Sequence, residues 1–441
     1  MTGHISFFGR RLLVLSLLAY AGLGGCMPAA PVNDNSPVET ILDVLGTTPD
    51  DPVTTTDTTA ESSSNNDSFT SAQVVTLSAT GQASLTGAID TDSDVDLYDL
   101  GVVNAGDFVV AQVDSGSAAF DPMGAIFDEL GLLRLANDDR DFFGGNVNAL
   151  LELLVTEATN HCYLAVAASP AAPGTGSYTL SLSITRGAAT PTTTAQTIVL
   201  DFDGQSGVSI GGGFALNVPV FDAAAVSDSY DGQSDAMIAA IVEQVRNDFD
   251  GFNVTIRTSA EGAADLTSES AVYFGTFNAE LLGLADNVDV YNSDVSQQAI
   301  VYTETFSLFE PLNASANSMA QAIANVASHE IGHLLGLNHT NDPTGLMDVT
   351  ATASQLLADQ RFRNSPLAPE IFPLGAQDAV ELLLATVGEV SPGAVSSQRI
   401  KAQVAATAPV PLVGEAPLPK SLFVSCFCKM CTVARIKGAS R

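Results

Sequence analysis

Three of the chain's five histidines fall within eleven residues, HEIGHLLGLNH, from His329 to His339. At the chain's own residue frequencies, His-Glu-x-x-His alone has roughly 0.002 expected chance occurrences, and Gly336 and His339 lower that much further. Four residues apart on a helix, His329 and His333 share a face and can direct two imidazoles at one cation. Glu330 sits beside that face, within reach of a water held there, without being a ligand itself. Gly336 permits the backbone conformation that ends the helix and turns the chain, so that His339 can return as a third ligand. Three neutral nitrogens suit zinc and leave one tetrahedral position open, the arrangement of a catalytic rather than a structural site.

These residues resemble the signature of the metzincin metallopeptidases. His329, Glu330, His333, Gly336 and His339 meet its spacing, and Met347 in "TGLMDV" stands where the family has its turn methionine, at the matrixin-like distance from His339. The resemblance runs over roughly residues 196 to 390. It implies a zinc-dependent endopeptidase in which Glu330 acts as general base on a zinc-activated water and then passes the proton to the leaving amine. Met347 would form an apolar floor under the ligands. It also implies an edge strand upstream of the helix, assigned to "AIVYTETF" (299 to 306), on which a protein or peptide substrate pairs as an added strand. Two features depart from parts of the family. No tyrosine follows Tyr302, which excludes a tyrosine-assisted variant, and no upstream cysteine stands in a setting to cap the metal.

Elements able to hold this motif can be read around it. "TIVLDFDG" from Thr197 reads as a buried strand and Ser234 to Asp250 as an amphipathic helix; "FNVTIRTS", "AVYFGTF" and "QQAIVYTETF" read as further strands. The motif helix opens with a capping box at Ser318 and Gln321, and a last helix covers Gln377 to Gly388. This order describes an α/β (α+β) domain with a mixed sheet over 197 to 390. Ahead of it, after a linker at 188 to 196, nine short alternating segments between 69 and 187 predict an all-β sandwich. That stretch is similar to the bacterial pre-peptidase C-terminal domain, through "DSDVDLYDL", "FDPMGAIFDELGLLRLANDD" and "GSYTLSLS".

The first 26 residues read as an export signal: Arg10 and Arg11, an apolar run from Leu12 to Leu23 too short to span a bilayer, then small residues before Cys26. "LGGC" resembles a lipobox, making Cys26 the lipidation candidate, and export to the outer membrane, cell surface or medium the expected location. Residues 27 to 68, rich in Ser, Thr, Pro and Asp, predict a disordered tether. The tail, 391 to 441, is basic and low in complexity; its Cys426, Cys428 and Cys431 lack a fourth metal ligand. Cys162 reads as a buried thiol on one face with Leu164 and Val166, and His161 as a strand-start residue without a ligand role.

Between residues 27 and 390 lie 49 acids and seven arginines, a formal 7 − 49 = −42. Such a body repels nucleic acid and anionic lipid, leaving a lipid anchor as the only membrane contact. Oligomeric state cannot be read. Calcium is a candidate second cation at Asp90, Asp92, Asp94 and Asp96, at Asp138, Asp139 and Asp141, or at Asp286, Asp289 and Asp294; solvated turn aspartates are the competing reading. For the whole chain, the alternative to an enzyme is a surface adhesion lipoprotein with an inactive peptidase-like domain, whose marker would be damage to the motif.

Overall fold

Alternating apolar residues between Gln73 and Thr185 build two packed sheets. In a computed structural model describing residues 58–61, 66–140 and 145–390, the strands are β1 (Thr58–Ala60), β2 (Gln73–Val74), β3 (Gln82–Ile89), β4 (Val95–Asp99), β5 (Phe108–Ser115), β6 (Pro122–Phe127), β7 (Leu133–Asn137), β8 (Ala149–Leu154), β9 (Tyr163–Ala168) and β10 (Gly176–Thr185). Cys26, the signal segment, Asp141 and the tail with its three cysteines lie outside the described residues. One sheet runs β1-β3-β10-β5-β8 and the other β2-β4-β9-β6-β7. Leu85, Val113, Leu151, Leu164 and Leu180 fill the space between them. The sandwich starts earlier than its pattern suggests, because Thr58–Ala60, inside the segment read as tether, pairs in parallel with β3. Three residues without apolar alternation carry no strand signal, yet a free sheet edge can recruit them.

Cys162 is buried with Leu164 and Val166, and burial pushes its thiol up to about 12. His161 bonds through Nδ1 to Asp99 at 2.8 Å and stacks on Tyr163, a partner its sequence context did not reveal.

The second half holds β11 (Gln196–Asp201), β12 (Gln205–Val208), β13 (Leu216–Val218), β14 (Val254–Thr258), β15 (Ser270–Phe274), β16 (Gly283–Ala285), β17 (Gln298–Val301), β18 (Asn364–Pro366) and β19 (Ala376–Asp378), with helices α1 (Ser234–Asp248), α2 (Ala316–Leu334) and α3 (Ala379–Thr386). Its mixed sheet has the order β14-β11-β15-β17-β16, with β16 alone antiparallel. Alternation along β15 and β17 splits the side chains cleanly. Val272, Phe274, Ala299 and Val301 face α1 and α2, whereas Ala271, Tyr273 and Ile300 pack under the β12–β13 hairpin.

Two readings of this half change. "AIVYTETF" is not the edge strand: β17 stops at Val301, lies between β15 and β16, and gives way to a 3₁₀ helix at Thr303–Leu312. The edge belongs to β16, three residues too short to show a period. The motif helix also begins earlier. Ser315 is its N-cap, accepting from the Ser318 amide at 3.1 Å, while Gln321 turns to Asn325.

Candidate metal centre

Helix α2 is buried along almost its whole last half, so its histidines point into protein rather than water. Its end is a Schellman motif: the Gly336 amide donates to the His333 carbonyl at 3.0 Å and the Leu337 amide to Gly332 at 2.9 Å. Gly336 has φ +91°, and a Cβ there would sit 3.0 Å from the Asp289 carbonyl oxygen, so glycine is required for both conformation and space. The turn sends the chain back to deliver His339.

The three imidazoles converge. His333 Nε2 lies 3.0 Å from His329 Nε2 and 3.0 Å from His339 Nε2. A tetrahedral ion about 2.0–2.1 Å from each nitrogen sets them roughly 3.3 Å apart, close to what is seen. The tautomers suit it too. His329 Nδ1 donates to the Leu346 carbonyl at 2.6 Å and His333 Nδ1 to the Leu337 carbonyl at 2.7 Å, leaving each Nε2 lone pair aimed inward. His339 presents Nδ1 toward Glu370 Oε1 at 4.0 Å.

Electrostatics favour the neutral ligands. Burial pulls His329 down to about 4, against the opposing bond to Leu346. His333 and His339 fall well below the ordinary range, first through burial and then through neighbouring imidazoles. The sign is that of a buried base: losing hydration penalises the imidazolium, so the neutral form persists to lower pH. In metal-stripped protein, ¹⁵N imidazole spectra should show His329 neutral with Nδ1 protonated at pH 5, and His333 titrating below the ordinary imidazole range. Titration of both near 6.5 would contradict this.

Glu330 is fully buried beside the cluster. A Cβ on Gly283, at the start of β16, would lie 2.2 Å from Glu330 Oε1, so the edge strand passes directly against this carboxylate. Met347 is buried; its sulfur would be 2.6 Å from a Cβ on Gly332, so it packs against the helix at Gly332. Its carbonyl accepts from the Thr340 amide at 2.8 Å, tying the methionine turn to the residue that follows His339. Gly283 and Gly332 carried no signal of their own, because only contact in space gives them a role.

The aspartate groups divide. Asp289 accepts from Ser293 and from the Asp294 amide, whereas Asp286 accepts from the Gly211 and Gln298 amides, so the two carboxylates are spent on separate sets of donors. Asp96 is buried and accepts from the Tyr178 hydroxyl, whereas Asp94 accepts from the Asp90 amide. Asp138 and Asp139 do gather, with Asp121 as a neighbour that sequence spacing could not supply.

A helix-borne histidine pair, a third histidine after a glycine turn and a buried methionine packed on the helix make a metzincin-like arrangement. Residues 266–361, which include every element of it, match the family model described as Matrixin, and this segment is of the zinc-peptidase kind. No curated protein matches the chain. Solved structures similar to parts of it include the pre-peptidase C-terminal domain of a collagenase from Bacillus anthracis (16% identity, 26% of this chain and 94% of that one, TM-score 0.19). They also include a zinc-dependent peptidase from Methanocorpusculum labreanum (14%, 37% and 93%, TM-score 0.23) and archaemetzincin from Methanopyrus kandleri (12%, 44% and 95%, TM-score 0.23).

Proposed function

We propose that the protein is a zinc-dependent endopeptidase. The observation that carries the reading is the convergence of three buried imidazoles beside a buried glutamate, with a sheet edge running against that glutamate. His329, His333 and His339 would hold the ion. When bound, zinc supplies Lewis acidity that acidifies water and polarises the scissile carbonyl. Glu330 takes the proton from the attacking water on its carboxylate as the new C–O bond forms, then returns it to the departing nitrogen as the C–N bond breaks. A substrate pairing along β16 in extended form would bring its backbone past Glu330 without needing a free terminus, which favours internal cleavage.

Export as a surface lipoprotein through Cys26 is part of this proposal and rests on residues 1 to 26 alone. An inactive adhesion domain is disfavoured because every motif position is intact. The deciding experiment is digestion of casein by the full chain, with chelator and with zinc restored. Activity lost to chelator and regained with zinc supports the reading, whereas no cleavage by zinc-loaded protein overturns it.

Gly283→Ala tests how the edge strand sets the glutamate. The added methyl would fall 2.2 Å from Oε1 and must push Glu330 aside. Turnover should drop at least about tenfold at unchanged zinc content, since a misplaced general base forfeits part of a roughly 10²–10⁴-fold contribution. A variant with wild-type kcat would contradict the placement.

A further inference from the structure

The sheet β2-β4-β9-β6-β7 carries apolar side chains on both faces, and only one of them faces the sandwich core. The other, formed by Leu97, Met123, Phe127 and Ala165, is covered by Leu367, Ile371 and Phe372, from the chain beyond the methionine turn. Phe127 packs edge-on to Phe372 with ring centres 5.6 Å apart. Its ring also lies where a Cβ on Gly375 would come within 2.4 Å, at a glycine with φ +89°. The covering segment is braced by amides of Ile371 to Ala368 at 2.8 Å and of Leu367 to Gly375 at 3.2 Å, and from it the Ala368 amide donates to the His339 carbonyl at 3.1 Å.

A second connection reaches another ligand. Tyr291, half-buried and held at φ 71°, donates its hydroxyl to the Leu154 carbonyl in β8 of the sandwich at 2.9 Å. Left-handed backbone at a tyrosine is strained, and surrounding contacts must hold it there. Two residues earlier, the Asp289 amide donates to the His333 carbonyl at 3.0 Å, at the end of α2.

We propose that the β-sandwich is a positioning element of the metal centre, gripping the main-chain carbonyls of His333 and His339 through these two struts. Its outer sheet face is therefore a bearing surface for the peptidase half rather than a docking site for an outside ligand. Metal affinity depends on how firmly surrounding structure orients its ligands, and loosening that support typically weakens binding 10–100-fold.

The inference rests on the zinc reading above, and the test separates the two. Zinc affinity of the full chain is measured by competition with a chelator, and amide exchange is followed by mass spectrometry, for wild type, Phe127→Ala, Phe127→Leu and Tyr291→Phe. Leu180→Ala, deep between the two sheets, controls for general weakening of the sandwich. Phe127→Ala should bind zinc about tenfold more weakly, with faster exchange around His339 and Ala368. Phe127→Leu should recover most of the affinity, and Tyr291→Phe should speed exchange at Asp289. Leu180→Ala should retain wild-type affinity. Wild-type affinity in both Phe127→Ala and Tyr291→Phe, or an equal loss in Leu180→Ala, would overturn the struts. Should Phe127→Ala fail to fold, Tyr291→Phe decides alone, because it removes a single hydroxyl. Wild-type protein that binds no zinc would instead overturn the metal centre itself.

Discussion

Replacing Glu330 by glutamine is expected to leave one zinc bound and to lower turnover by about 10²–10⁴-fold, the usual contribution of a positioned acid–base group. Glutamine keeps the volume of a side chain that is wholly buried between α2 and Gly283. It therefore removes proton transfer while keeping the packing. It cannot accept the proton of the attacking water, and it cannot return one to the leaving amine. Because Glu330 is not one of the three converging ligands, zinc content should match wild type. The check is paired metal analysis and kcat on the same preparation. Retained turnover would move the general base elsewhere, and lost zinc would mean that Glu330 supports the ligand set.

Removing a ligand should act on a different quantity. His333 stands at the centre of the cluster, 3.0 Å from each of the other two Nε2 atoms and bonded through Nδ1 to Leu337. In His333→Ala two buried imidazoles cannot hold the ion with comparable affinity. A ligand bound only by the folded state stabilises it by about 4 kcal/mol at a thousandfold excess over Kd. Added zinc should raise the unfolding midpoint of the wild type by this amount of stability and leave that of His333→Ala unmoved. An equal rise in both would show that the stabilising ion sits somewhere else.

The metal centre was legible in sequence because its chemistry is local. Four residues of helix, one glycine and a short return fix three histidines regardless of what surrounds them, and the fold brings those three together. The nine alternating segments of the sandwich were equally plain, since each spends several residues on one period. What escaped detection was short or depended on distant contact. The edge strand Gly283–Ala285 is too brief to alternate. "AIVYTETF" mixes β-branched and aromatic residues through a point where the backbone tightens into a 3₁₀ helix at Thr303. Serines at 315 and 318 both fit an N-cap, and only the amide that each could reach distinguishes them. The packing of the sandwich on the peptidase half did leave a trace. β6 and β9 are apolar at odd and even positions alike, which a sheet with one solvated face does not require.

The most direct test of the central claim is metal analysis of the purified full-length chain, by plasma mass spectrometry after exhaustive dialysis. One zinc per chain is expected in the wild type and almost none in His333→Ala. A folded wild-type protein that takes up no zinc from buffer containing it, or a His333→Ala variant that keeps a full equivalent, would contradict it.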